Sequence, residues 1–257
     1  MNKIIIVGTT KDRQDDLAVM IKSALTYLKS WYIVIVTQGY SEAERKSAVN
    51  HANIAYLHFD DNLGPHGAKI KAIEFSQRLF EGEEIIFCSA DDDMEFLPTT
   101  DFSNIIAKIS SDPSTGFVTS NWANSSAMLK HRPIKDEFIK QNIVYTAGGM
   151  LFSNTIASLI LELPDKPYWC DNTVWSTHAY INGFTNYRYR GSVAIHRVCQ
   201  TGGRKGFVGK RDCDMYDESL VLFKKGKTDY LIATDKDLTE KAHQLHESNK
   251  QKLYENL

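Results

Sequence analysis

The sequence has few of the residues that mark secreted, zinc-knuckle or membrane proteins. Its four cysteines are widely scattered and form no Cys-x-x-Cys pair, which argues against a cysteine-based zinc site and fits a reducing cytoplasm. No run approaches the roughly 18 apolar residues of a transmembrane helix. The opening apolar segment, Met1 to Gly8, is also too short for a signal peptide. We therefore predict a cytoplasmic protein without a membrane span.

The chain also lacks a large excess of charge of either sign. Its formal net charge is -2, so no global positive field indicates a nucleic acid or a membrane surface as partner. Hydrophobic residues make up 42% and charged residues 24% of the 257 positions, an ordinary composition for a folded domain. This length suits one large α/β domain or one and a half ordinary ones, and it is enough for a substantial core.

Apolar strands alternate with helices along the first half of the chain. This alternation predicts a mostly parallel sheet that is covered by helices on both faces. Ligands of such sheets bind beyond the carboxyl ends of the strands, which here are the segments 8–13, 37–39, 60–69 and 89–95. Strands are predicted at 4–7, 32–36, 54–59, 85–88, 117–120, 187–189 and 193–196. Helices are predicted at 41–50, 153–163 and 172–182.

Three consecutive carboxylates, Asp91, Asp92 and Asp93, follow the apolar strand at 85–88. Placing like charges side by side is costly unless a cation neutralises them. Mg²⁺ and Mn²⁺ favour a few carboxylates together with phosphate oxygens of a substrate. Asp91 and Asp93 point to the same side of an extended segment, so this pair is the candidate metal site. The alternative is a solvated acidic turn.

Other phosphate-handling folds fit the sequence poorly. A haloacid-type phosphatase requires Thr or Val where Glu95 stands. A sugar nucleotidyltransferase requires a glycine-rich loop after the first strand, and a dinucleotide-binding domain requires Gly-x-Gly-x-x-Gly there. The segment 8–13 contains one glycine, which disfavours both.

In the order of its motifs the chain resembles the family 2 glycosyltransferases and their GT-A relatives over roughly residues 3–200. The segment Thr9-Thr10-Lys11-Asp12-Arg13 is similar to the family's Thr-x-x-Arg loop, so the resemblance implies that Thr9, Thr10 and Arg13 contact the nucleotide. Gln38 follows the second strand, where the family usually has an Asp for the base or ribose.

Further segments extend the resemblance along the donor side. Asn62-Leu63-Gly64, with Lys69 beyond it, is similar to the Asn-x-Gly segment beside the donor. The triplet Asp91-Asp92-Asp93 is similar to the metal-binding Asp-x-Asp, which implies that Asp91 and Asp92 also contact the nucleotide sugar. His196 stands where several GT-A enzymes have a histidine that completes the metal shell, although a histidine at a strand end is often structural.

The acceptor side is indicated by two segments of the second half. Trp169-Cys170-Asp171-Asn172 is similar to the Glu-Asp motif whose Asp is the general base of inverting members. Asp171 is therefore the implied base, and a helix N-cap is its alternative role. Gly148 and Gly149 match the small-residue strand that lines the acceptor site, and Trp169 is expected beside them.

A basic, glycine-rich loop spans residues 200–212. Arg204 and Lys205 are predicted to close over the donor diphosphate and to exclude water. One alternative is a grip on an anionic acceptor, including a nucleic-acid backbone. The other is a solvated mobile loop without a binding role.

The resemblance implies a single α/β domain of the GT-A (Rossmann-like) type. Residues 1–100 are expected to bind the nucleotide sugar, residues 101–230 to form the acceptor half, and residues 231–257 a C-terminal helix. The implied activity is Mn²⁺- or Mg²⁺-dependent, inverting transfer of a sugar from a nucleotide-diphosphate sugar to a glycan or other hydroxyl acceptor. Two alternatives stay open: a phage-type DNA glycosyltransferase acting on a hydroxymethylated base, and a non-catalytic nucleotide-sugar-binding protein.

Overall fold

The computed structural model describes residues 2–11, 13–28, 31–123, 134–141, 144, 149–163 and 171–197. Within these residues the strands are β1 (Lys3–Thr10), β2 (Tyr32–Gln38), β3 (Ile54–Phe59), β4 (Ile85–Asp91), β5 (Met94–Glu95), β6 (Thr115–Ala123), β7 (Phe138–Gln141), β8 (Met150–Ser153) and β9 (Thr185–His196). The helices are α1 (Gln14–Tyr27), α2 (Glu42–Ser47), α3 (Gly64–Leu79), α4 (Ser103–Ser111), α5 (Asn154–Leu161) and α6 (Asp171–Ile181). No helix of the described segments is both long and apolar enough to cross a membrane.

One sheet joins all of these strands, in the order β3-β2-β1-β4-β8-β6-β9-β5, with β7 paired to β9. The strands β1 to β4 pair in parallel, and so do β6 and β9. The strands β5, β7 and β8 run antiparallel to their neighbours. The predicted α/β class is confirmed, but the sheet is mixed. The three antiparallel strands are two to four residues long, too short for hydrophobic periodicity to reveal.

Helices cover both faces of the sheet, as predicted. Apolar side chains of α1 and α4 pack on one face with Ile6 and Cys88. Those of α3, α5 and α6 pack on the other face with Ile5, Val7 and Phe87. Neighbouring residues of β1 and β4 therefore enter opposite cores, which is why both strands read as continuous apolar runs. The short helix α2 buries no residue.

Several predicted boundaries are wrong by a few residues. The strand β1 continues through Thr10 because it pairs on both sides, with Thr9 opposite Asp91 and Thr10 opposite Thr37. The polar helix predicted at 41–50 is limited to α2. Its start is set by a capping box, in which Ser41 and Glu44 each accept a hydrogen bond from the other's backbone N–H. The helix α4 was not predicted.

The two late strands predicted at 187–189 and 193–196 form one strand, β9. Its pairing with β6 shifts by three residues, because Tyr189 lies opposite Ser120 whereas Val193 lies opposite Asn121. Residues 190–192 form this bulge. A Cβ at Gly191 would collide with the Tyr189 ring, so glycine suits this position. Bulges of this kind re-aim the end of a strand, and here that end is His196.

Candidate functional site

The predicted loops meet at one edge of the sheet. Parallel pairing places Thr9 beside Asp91 and Thr10 beside Thr37, so the carboxyl ends of β1, β2 and β4 are neighbours. The β3–α3 loop joins them through Leu63, whose N–H donates to Gln38 Oε1 at 2.6 Å. The first half of the chain therefore supplies one continuous polar edge, as the alternating pattern predicts.

A potential metal-binding group lies at this edge. Asp91, Asp93 and His196 each offer one ligand atom, and these atoms lie within 4.8 Å of one another. The Nε2 atom of His196 is 3.0 Å from Asp93 Oδ1. The contact depends on the pairing of β5 with β9, which puts Met94 opposite His196. The backbone N–H of Arg197 also donates to the Asp93 carbonyl at 2.8 Å.

These three side chains fit a divalent cation. Adjacent ligands of an octahedral shell with bonds of about 2.1 Å lie about 3.0 Å apart, and opposite ligands about 4.2 Å apart. The 3.0 Å between His196 Nε2 and Asp93 Oδ1 matches two adjacent ligands of such a shell. Two carboxylates and one imidazole are ligand types that divalent cations accept. Asp91, with 33% of its side chain exposed, leaves the group accessible from the solvent side.

Two cations offset the charge of the acidic triplet. The Lys69 ammonium lies 2.9 Å from Asp91 Oδ1, and only 1% of its side chain is exposed. The Arg13 guanidinium lies 2.9 Å from Asp92 and 3.4 Å from Asp93. A buried cation requires such a partner, since an unpaired charge in the interior is strongly destabilising. The predicted donor-side residues Arg13 and Lys69 are thus brought directly to the triplet.

Asp92 differs from its two neighbours. Burial raises its pKa to about 7, against the opposing influence of the Arg13 charge and a hydrogen bond to Thr10. The charges of Asp93 and Asp91 raise the pKa further. Asp92 is not part of the metal-binding group. Its contacts instead connect the triplet to the end of β1 and to the start of α1.

Gln38 connects the other two loops of the site. It is 3% exposed, and its Nε2 donates to Thr9 Oγ1 at 2.7 Å while its Oε1 accepts from Leu63. The β3–α3 loop is tightened further by Asn62, whose Oδ1 accepts from the Gly64 N–H at 3.0 Å. Gly64 has φ +66, a conformation that glycine adopts without strain. Gln38, Asn62 and Gly64 thus determine the shape of this loop.

We expect Gln38→Leu to lower the free energy of unfolding by about 1 to 3 kcal/mol, because two hydrogen bonds are lost and the Leu63 N–H keeps no side-chain acceptor. Urea unfolding of the purified variant measures this change. Since the β3–α3 loop loses its attachment to β1, weaker nucleotide binding should accompany the loss of stability. Equal stability and equal nucleotide affinity in variant and wild type would contradict this role for Gln38.

The acceptor-side predictions are described in part. The helix α6 begins at Asp171, one residue earlier than predicted, and its side chains are described from Val174 onwards. Gly149 is a left-handed residue, with φ +42, that immediately precedes β8, so it does not form part of a strand. Its N–H points to Met94 Sδ at 3.2 Å. Gly148, Trp169, Arg204, Lys205 and the C-terminal helix 231–257 lie outside the described residues.

Two buried contacts beside the site were not predicted from the sequence. The Tyr40 hydroxyl lies 3.3 Å from Thr10 Oγ1, and Trp175 Nε1 donates to His66 Nδ1 at 2.9 Å. The sequence feature that could have drawn attention to His66 is the Gly-Pro-His-Gly turn at 64–67, although a polar residue such as histidine is ordinary in a turn. The signal for Trp175 was its place among the aromatic residues of the second half.

Comparisons with known proteins bear on the family and the fold. The family model "Glycosyl transferase family 2" matches residues 5–158. Among solved structures, S. aureus TarS 1-349 is similar at 12% identity with a TM-score of 0.55, over 94% of this chain and 69% of that one. GalNAc-T7 with UDP, GalNAc and Mn2+ is similar at 13% identity with a TM-score of 0.56, over 76% of this chain and 44% of that one. No curated protein matches the sequence. At these identities the structural likeness concerns the fold alone.

Proposed function

The chain belongs to glycosyl transferase family 2 and has the GT-A fold, and on this premise we propose that it transfers a sugar from a nucleotide-diphosphate sugar to an acceptor hydroxyl with a divalent cation as cofactor. The observation that carries the proposal is the convergence of Asp91, Asp93 and His196 at the carboxyl edge of the sheet. His196 is distant in sequence from the two aspartates, so the cluster is produced by the fold and not by local sequence.

The metal-binding group would hold Mn²⁺ or Mg²⁺ through Asp91, Asp93 and His196. A bound ion supplies Lewis-acid stabilisation for the charge on the departing nucleotide diphosphate. Of the two aspartates, Asp91 has the larger exposed fraction, 33% against 6%. Lys69 holds Asp91 in place from the buried side, so the outer side of the carboxylate is left for the donor.

The remaining donor-side residues shape and charge the nucleotide site. Thr9 and Thr10 end the central strand β1 between the triplet and β2. The loop that contains Asn62 leads directly into α3, which begins at Gly64 and whose N-terminal dipole favours an anion such as a diphosphate. Gln38 is assigned to holding this loop, because both ends of its carboxamide already bond to the protein.

The acceptor hydroxyl is proposed to lose its proton to Asp171 as its oxygen attacks the anomeric carbon from the face opposite the leaving diphosphate. Transfer with inversion follows from this single displacement. Gly148, Gly149 and Trp169 are proposed to line the acceptor site, and Arg204 and Lys205 to close over the donor. The division into a nucleotide half at 1–100 and an acceptor half at 101–230 belongs to the same proposal.

The choice of first donors follows from the neighbouring structures. GalNAc-T7 was solved with UDP, GalNAc and Mn2+, so UDP-sugars with Mn²⁺ are the first combination to test. A full set of nucleotide diphosphates is needed beside them, because Gln38 stands where an aspartate commonly receives the base. The acceptor screen includes glycans and duplex DNA with hydroxymethylated bases, the two chemistries that the sequence left open.

A thermal-shift screen of nucleotide diphosphates with and without Mn²⁺ tests the donor half of the proposal. Ligand at a hundred times its Kd stabilises the folded state by about 2.7 kcal/mol, which raises the Tm of a chain of this size by roughly 5 to 10 °C. We expect one nucleotide diphosphate to give this shift with Mn²⁺ and to lose most of it in excess chelator. No shift with any nucleotide would contradict the donor assignment.

Donor hydrolysis separates an enzyme from a protein that only binds nucleotide sugars. We expect slow release of the nucleotide diphosphate from the matching donor in the presence of Mn²⁺, and faster release when the correct acceptor is added. A protein that shows the thermal shift but no release under any condition would be a binding protein, and the catalytic proposal would then be wrong.

A further inference from the structure

A buried hydrogen bond joins the donor side of the fold to the helix that begins at Asp171. The Trp175 Nε1–H donates to His66 Nδ1 at 2.9 Å, and the two ring centroids lie 5.8 Å apart at 62°. His66 is 1% exposed and Trp175 is fully buried. The two residues are 109 positions apart in sequence, so the bond is a tertiary contact between α3 and α6.

Both ends of this bond lie one helical turn from a residue of the proposed chemistry. His66 belongs to the first turn of α3, and Lys69 follows it after three residues, with its ammonium on Asp91. Trp175 occupies the position four residues after Asp171, which is the same side of α6 one turn later. Asp91 and Trp175 are therefore linked by the Lys69 ion pair, the first turn of α3 and the His66 hydrogen bond.

We propose that His66 is a positioning residue, which holds the first turn of α6, and with it Asp171, against the donor side of the site. This proposal rests on the proposed function, because it assigns a role to the distance between donor and general base. His66 does not itself contact the reacting atoms in this assignment. It acts through Trp175.

The chemistry of the two rings fixes which one donates the hydrogen bond and which one accepts it. An indole N–H only donates, so His66 must present an unprotonated Nδ1 and carry its ring proton on Nε2. Other anchors hold α6 elsewhere: Ser176 Oγ accepts from the Val144 N–H at 2.9 Å, and the Ser176 carbonyl accepts from Asn186 Nδ2 at 2.9 Å. These two bonds tie the helix to the segment before β8 and to β9. The bond to His66 ties it to α3, where the donor is proposed to bind.

Loss of the acceptor on His66 tests the proposal. We expect His66→Leu to lower kcat by about 10- to 100-fold, because small misplacements of a catalytic group cost this much, with the donor KM changed less than about threefold. His66→Asn should recover most of the rate, since its side-chain oxygen lies close to the position of Nδ1. Trp175→Phe should match His66→Leu, and the double variant His66→Leu, Trp175→Phe should be no slower than either single variant.

His51→Leu is the matched control. His51 is exposed, and its Nδ1 accepts only from the nearby Asn53 N–H among the contacts described, so we expect its kcat to stay within about twofold of wild type. Equal losses in His66→Asn and His66→Leu would overturn the positioning role. A rise in donor KM with an unchanged kcat would overturn it as well, because that pattern indicates a donor-binding residue.

Hydrogen exchange separates a failure of this proposal from a failure of the proposed function. The amides of 175–178 bond to the carbonyls of the first turn of α6, and their exchange is measured by mass spectrometry without any activity. We expect exchange at least tenfold faster in His66→Leu and restored in His66→Asn. If the wild-type protein transfers no sugar, the proposed function fails. If exchange in His66→Leu equals that of the wild type, His66 does not hold α6, whatever the activity.

Discussion

Asp93→Asn is expected to lower kcat for sugar transfer by about 100- to 1,000-fold and to abolish the response to Mn²⁺. The estimate corresponds to a loss of about 3 to 4 kcal/mol of transition-state stabilisation, which is the contribution of a Lewis-acid metal. Asp93 carries this effect because it contacts His196 at 3.0 Å and belongs to the group that would hold the ion. Mn²⁺ binding by calorimetry and initial rates across a metal titration give the two measurements.

Glu83→Gln provides the control for Asp93→Asn. It also neutralises one carboxylate, but Glu83 is exposed at the opposite end of β4, so metal binding and rate should match wild type. His196→Ala should reproduce the loss of Mn²⁺ affinity, because the imidazole completes the same group. If Asp93→Asn kept full activity with an unchanged Mn²⁺ requirement, the ion would bind elsewhere. The cluster of Asp91, Asp93 and His196 would then no longer support the proposed function.

Asp171→Asn is expected to lower kcat by about 100- to 10,000-fold, the usual range for removing a general base. The amide has nearly the same size as the carboxylate but accepts no proton at neutral pH. Nucleotide-diphosphate affinity and Mn²⁺ affinity should stay unchanged, since neither ligand contacts this residue in the proposed arrangement. Initial rates with saturating donor and acceptor measure the first effect, and calorimetry measures the second.

The stereochemistry of the product gives an independent check on the same residue. Single displacement predicts inversion at the anomeric carbon, which the NMR coupling constant of the product reveals. Asp171→Glu is a useful companion variant, because it keeps a carboxylate and should retain more activity than Asp171→Asn. Turnover of Asp171→Asn at the wild-type rate would contradict the assignment of Asp171 as the general base.

Prediction from sequence succeeded where the pattern is local. The strands β2, β3 and β4 were predicted to within three residues, because each is an apolar run bounded by polar turns. The short strands β5, β7 and β8 were missed. Their pairing partners are distant in sequence, and two to four residues carry too little periodicity to distinguish them from loops.

The candidate site divides in the same way. The carboxylates at 91–93 follow a buried parallel strand, so their place at the ligand edge was predictable. The alternation along the first half also placed Thr9, Gln38 and Asn62 at neighbouring strand ends. The amide bonds of Gln38 were not predictable, because they depend on where Thr9 and Leu63 come to lie beside it.

The sequence by itself determined an α/β fold, its parallel first half, and an acidic triplet at the edge where such folds bind ligands. These features follow from the spacing of apolar residues in strands and helices and from the repulsion between adjacent carboxylates. Both depend only on residues that are close in sequence. Only the tertiary structure decided that His196 reaches Asp93, because a bulge in β9 and its pairing with β5 set that distance. It also decided that His66 meets Trp175, since the packing of α3 and α6 on the same face of the sheet is a consequence of the whole core.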